Sequence, residues 1–135
     1  MSRLKRIKGG VTAGRGFQAA GIHAGIKAAK PDLAVIFSES PAAVAGTFTT
    51  NRIQAAPVRL CRQRLKGGHG RAIVINSGSA NACTGKKGEA DAVRMAALAA
   101  DSLGVAEKYV FACSTGCIGK PLPMDKIESG IKKAV

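Results

Sequence analysis

Ala92, Met95, Ala96, Ala99 and Leu103 recur at i, i+3, i+4, i+7 and i+11, which sets them on one face of a helix over 89–103. That face is mostly alanine, and small side chains let packed backbones approach closely. The rest of the chain supplies matching material. It has 17 glycines, no Trp, one Tyr and four Phe among 135 residues, so a core must come largely from Ala, Val, Ile and Leu. With 46% hydrophobic residues the chain can bury a real core, and its length fits one domain. These features describe an α/β chain with tight layers and exclude a disordered one.

Segment 71–78, "RAIVINSG", is the clearest strand and ends in turn formers. Segment 32–39, "DLAVIFSE", reads as a buried strand bounded by Pro31 and Pro41, and 42–51 as a further strand. Segment 56–65 mixes a short strand with a basic helical turn, and "GGHG" is a loop. Glu89 and Asp91 are expected in the first turn of the main helix, with Gly104 stopping it in a left-handed conformation. "KYVFAC" forms the next strand, and Pro123 opens a last helix with Met124, Ile127, Ile131 and Ala134 on one side. That apolar pattern stops at Val135 without a cap, which reads as a truncation.

The net charge is +13, from 21 basic and 8 acidic residues. Counterion release rewards any basic surface on nucleic acid. Here, however, the charges form no single stripe, and the aromatics that stack on bases are nearly absent. Solvated faces, an anionic substrate or a more acidic partner account for them, so no nucleic-acid partner is expected. No apolar stretch approaches the ~18 residues that span a membrane. The basic start "MSRLKRIKGG" lacks the apolar run of a signal peptide. Reduced thiols in a cytoplasmic protein follow as the default.

Four motifs bear on chemistry. "GRGFQA" has the glycine spacing of a dinucleotide fingerprint but no strand before it, so it reads as a glycine turn. Cys61, Cys83, Cys113 and Cys117 include no C-x-x-C pair, and His23 and His69 stand far off, so no metal site is expected and the thiols read as buried packing. "NSGSANACTG" brings Asn76 and Asn81 between a strand and the main helix, where such amides hold a polar substrate or cap the helix. "FACSTGCIGKPLP" breaks an apolar run at Ser114-Thr115-Gly116. That turn suits a nucleophile, an oxyanion hole or a plain turn. No G-x-S-x-G or S-x-x-K pattern supplies a nucleophile's partner. A threonine hydroxyl beside a glycine amide suits an oxyanion hole, where each such donor contributes about 3 kcal/mol.

The blocks "GVTAGRGFQAAGIHAGIK", "PDLAVIFSESPAAVAGTFTTNRIQAAPV", "VINSGSANACTG" and "STGCIGKPLPMDKIESGI" together resemble the ornithine acetyltransferase family, the bifunctional glutamate N-acetyltransferases of arginine biosynthesis. The likeness covers about residues 10 to 131 in order. It implies an α/β fold, a layered sheet-and-helix sandwich of the self-processing type that is incomplete in this chain. Residues 1–135 would then be the N-terminal part of the α chain, ending before the cleavage site.

The resemblance further implies acetyl transfer from N-acetylornithine to glutamate, with no bound cofactor and with acetyl-CoA an additional donor in some members. The precursor cleaves itself before a threonine in a Lys-Gly-Ala-Thr sequence. That threonine heads the β chain and forms the acetyl-enzyme of a ping-pong reaction. Thr115 and Gly116 match the family's oxyanion-hole pair, and the assembly is α2β2. No Lys-Gly-Ala-Thr segment occurs here, so the nucleophile is absent from these residues. Ser79 stands where the family pattern has Asn, and Cys117 where it has Val. A related self-processing amidohydrolase or aminopeptidase is the alternative enzyme, distinguished by substrate. A basic nucleic-acid-binding module is the alternative of another class, distinguished by steep salt-dependent affinity.

Overall fold

The computed structural model describes residues 6–135, so Arg3 and Lys5 of the basic start lie outside the described residues. Four strands and three helices follow one another as β1 (Phe17–Ile22), β2 (Leu33–Ala43), α1 (Ala56–Leu65), β3 (His69–Ser79), α2 (Gly85–Leu103), β4 (Val110–Cys117) and α3 (Met124–Ala134). The sheet order is β1-β2-β3-β4. β1 and β2 are antiparallel, as are β2 and β3, whereas β3 and β4 are parallel. A parallel pair needs a long crossover, and α2 is that crossover.

Side chains alternate across a strand, so one face of the sheet is dry and helix-covered. Leu33, Val35, Ala72, Val74, Val110 and Ala112 meet Met95, Ala96 and Ala99 of α2 and Ile127 and Ile131 of α3 there. The expected alanine face therefore lies on the sheet. On the other face Ile36 pairs with Ile73 and Ala34 with Ile75, all half-buried. No described helix is long and apolar enough to cross a membrane.

Several expectations need correction. Residues 42–51 are no separate strand, because β2 runs on through Pro41 to Ala43 and residues 44–51 have no strand structure. Pro41 is tolerated because the β2–β3 register shifts between Phe37 and Ala42, where no ladder bond needs its missing N–H. The threonines beyond it serve a local turn: Asn51 N donates to Thr49 Oγ1, and Ile53 N to Asn51 Oδ1. Segment 56–65 is wholly helical, with Pro57 in the first turn, where its lack of an N–H is harmless. β1 starts directly after the Gly14–Gly16 turn, which sequence reading stopped at. α2 begins at Gly85, so Glu89 and Asp91 are beyond its first turn, and Asp91 instead accepts from Lys87 Nζ at 2.7 Å. Gly104 ends α2 at φ +65° as expected.

Only Cys61 is a buried thiol; Cys83, Cys113 and Cys117 are exposed. Cys61 Sγ donates to the Ala112 carbonyl at 3.2 Å, and burial pushes its thiol up from the ordinary value.

Candidate functional site

The C-terminal ends of the parallel strands β3 and β4 lie side by side, the position where parallel sheets gather ligands. Asn76 pairs with Ser114, Ser77 with Thr115 and Gly78 with Gly116; the ladder then bulges, with Ser79 facing both Thr115 and Cys117. Two glycines make this crossing possible. Gly116 has φ +130° and Gly78 has φ +120°, both in the region L side chains avoid. A Cβ on Gly116 would stand 2.5 Å from the Gly78 carbonyl carbon and 2.7 Å from Ser79 N. One on Gly78 would stand 2.8 Å from Ile26 Cγ2 and 3.2 Å from Lys27 Cγ. Three segments thus stack in contact: the β1–β2 loop, Gly78 and Gly116.

Behind the crossing lies a web of short polar bonds. Asn76 Nδ2 donates to the Ser79 carbonyl at 3.0 Å, and Ser79 Oγ donates to the Lys120 carbonyl at 2.6 Å. Asn81 N donates to Ser79 Oγ, Asn81 Nδ2 to the Gly88 carbonyl, and Thr84 Oγ1 to Asn81 Oδ1. Backbone bonds from Ala80 N to Cys117 O and from Gly119 N to Ala82 O close the two turns on each other. Asn76, Ser79 and Asn81 are fully buried. Ser79 Oγ serves as both donor and acceptor at the centre of this web.

Two buried polar atoms have no partner among the described residues, Asn76 Oδ1 and Ser114 Oγ, and they sit on register neighbours. Among the described residues no base bonds Ser114 Oγ, as a nucleophile would need. The Nδ1 atoms of His23 and His69 lie 2.9 and 3.1 Å from the carbonyls of Lys30 and Gly67. Thr115 and Gly116 are exposed, and Thr115 Oγ1 makes no hydrogen bond among the described residues. Among those residues no group of three or more His, Cys, Asp or Glu could hold a metal ion.

The loop on the other side of Gly78 is fixed by Asp32, which the sequence reading placed in a strand and otherwise passed over. Its side chain is fully buried and accepts from Ala24 N at 2.6 Å and Lys27 N at 2.8 Å, with His23 Nδ1 at 3.3 Å. The Asp32 carbonyl accepts from Ser77 N, tying the loop to β3 one residue before Gly78. Burial opposes ionisation of Asp32, but the amides of Lys27 and Ala24, with His23 and the amide of Ile26, outweigh it and hold the carboxyl below its usual value. The available signal was an acidic residue directly before an apolar run. Nothing in that signal reveals which amides it would bind.

The arrangement leaves a hydroxyl and a glycine at an exposed strand end, held rigidly from behind. A model of the ArgJ family matches residues 18–135. The arginine biosynthesis bifunctional protein ArgJ of Caldanaerobacter subterraneus subsp. tengcongensis is 52% identical over 131 residues, covering 97% of this chain and 32% of the relative. The protein of the same name from Symbiobacterium thermophilum is 51% identical over 134 residues, covering 97% of this chain and 33% of its own length. This chain thus spans about a third of the length of these curated relatives. The crystal structure of the Bacillus halodurans ArgJ protein superposes with a TM-score of 0.90 at 45% identity, over 93% of this chain and 66% of that one. Ornithine acetyltransferase from Mycobacterium tuberculosis, solved in complex with ornithine, gives a TM-score of 0.90 at 48% identity, over 93% of this chain and 68% of the other.

Proposed function

This chain belongs to the ArgJ family, and from that premise we propose that it supplies the oxyanion hole of a glutamate N-acetyltransferase acting in arginine biosynthesis. The observation that carries the reading is the glycine crossing, which leaves Gly116 no room for a side chain and fixes Thr115 beside it. The reaction runs in two halves. A threonine from a segment beyond these residues attacks the acetyl carbonyl of N-acetylornithine. The carbonyl oxygen takes up negative charge, and the Thr115 hydroxyl and the Gly116 amide donate to it. The C–N bond breaks, the amine of ornithine leaves with a proton, and an acetyl-threonine ester remains. The amine of glutamate then attacks that ester, passes through a second oxyanion at the same donors, and departs as N-acetylglutamate.

In this reading Asn76 and Asn81 act on the substrate only indirectly, since both are fully buried and their amide groups bond Ser79, Gly88 and Thr84. They hold the donor turn in place. Acetyl-CoA as a second acetyl donor is part of the same reading. A self-cleaved β chain, an α2β2 assembly and a cytoplasmic location belong to the same reading.

The complete protein, given N-acetylornithine and glutamate, is expected to release ornithine and N-acetylglutamate in equal amounts. Residues 1–135 alone are expected to release neither. Absence of transfer by the complete protein would overturn the reading.

A further inference from the structure

The turn that leaves β4, residues 116–120, has a glycine at each side of its bend, with φ +130° at Gly116 and +75° at Gly119. Glycines leave such a turn conformationally loose, so bonds from outside must fix it. Those bonds run to residues 79–82. Ala80 N donates to the Cys117 carbonyl at 3.0 Å and Gly119 N to the Ala82 carbonyl at 2.8 Å, both backbone to backbone. The third is the shortest, and a side chain makes it: Ser79 Oγ donates to the Lys120 carbonyl at 2.6 Å. Pro121 follows directly and disfavours a helical Lys120, which limits how that carbonyl can turn.

Ser79 meets the start of the turn as well as its end. A Cβ on Gly116 would stand 2.7 Å from Ser79 N, and the ladder sets Ser79 opposite both Thr115 and Cys117. The residue is itself anchored to β3, because its carbonyl accepts from Asn76 Nδ2. Ser79 is fully buried, so it does not touch a substrate, and its hydroxyl proton is already given to Lys120. It acts through its neighbours or not at all.

Resting on the acetyltransferase reading, the geometry points to Ser79 as a positioning residue that fixes the Gly116 amide for the oxyanion. That amide opens the turn and the Lys120 carbonyl closes it, so one side-chain bond sets the span between them. A donor serves an oxyanion only at about 2.7–3.1 Å, and a turn released at Lys120 lets Gly116 wander outside that window. Thr115 depends on Ser79 less, since it precedes the turn and pairs with Ser77 in the ladder. Loss of the Ser79 hydroxyl therefore weakens one of the two donors. The oxyanion exists only in the reaction, so the rate falls while substrate binding stays.

The test uses the complete enzyme with Ser79→Ala, and kcat is taken per folded molecule. It is expected to fall about tenfold, with KM for N-acetylornithine and for glutamate each within about twofold of wild type. Ser79→Thr keeps the hydroxyl and should restore kcat to within about threefold of wild type. If Ser79→Ala does not fold, Ser79→Cys, whose thiol is a weak donor, reads the same loss. In a Thr115→Ala background Ser79→Ala should again cost about tenfold, because the two changes strike different donors. No further loss in that background would overturn the assignment to the Gly116 amide. An unchanged kcat in a folded Ser79→Ala enzyme would overturn the positioning role and leave the acetyltransferase reading intact. A wild-type protein without any transfer would overturn both.

Discussion

At the start of the β3–β4 pair Ala72 faces Val110 and Val74 faces Ala112, dry beneath α2 and α3; four residues after Val74, Gly78 faces Gly116 with hardly a side chain between them. The apolar end is specified by alternation, and many sequences of similar volume would satisfy it. The polar end is specified by two positive φ angles and a web of hydrogen bonds, and almost no substitution would. The difference teaches that one pair of strands can be tolerant at one end and intolerant at the other. The intolerant end is where the proposed donors stand.

Gly116→Ala should break the comparison most severely. Its methyl would meet the Gly78 carbonyl carbon at 2.5 Å on a backbone that disfavours any side chain. Acetyl transfer by the complete protein is expected to fall by about a thousandfold or more, since displacements near 1 Å at a reacting centre already cost about a hundredfold. Initial-rate assays of the purified variant check this, and near wild-type rates would show that the crossing is not tight.

Met95→Ala probes the other end. Met95 is fully buried beneath the sheet, so its truncation should lower stability by about 2–5 kcal/mol. The kcat of the folded fraction should be unchanged. Denaturant unfolding with activity measured per folded molecule separates the two quantities. A parallel loss of kcat would mean that the two ends are coupled.

Asp32→Asn should act more weakly and with a pH signature. The folded carboxyl is held below its ordinary value, so its contribution to stability is present above the ordinary carboxylate range. It is lost as pH falls through the folded value. The wild type should therefore lose stability in acid more steeply than Asp32→Asn, and the two unfolding midpoints should converge at low pH. Parallel curves at all pH values would show that Asp32 does not act through its charge.

The apolar end was legible because periodicity is written locally. β3 and the alanine face of α2 come directly from spacings of 2 and 3.6, and Gly104 from its place after the last apolar residue. The edge strand β1 escaped because "FQAAGI" offers only Phe17 and Ile22 as large apolar residues. The threonine-rich stretch after Pro41 misled because its hydroxyls and Asn51 bond their own backbone. At the polar end, Thr115 and Gly116 stood out as a hydroxyl beside a glycine. Asp32 and Gly78 did not, since their meaning arises only when residues some fifty and ninety positions apart in the chain are brought into contact.

The central claim is that Thr115 donates to an oxyanion, and kcat of Thr115→Ala in the complete protein tests it most directly. The account predicts a fall of about a hundredfold or more with little change in KM, because the bond exists in the transition state and not in the bound substrate. An unchanged kcat would contradict it.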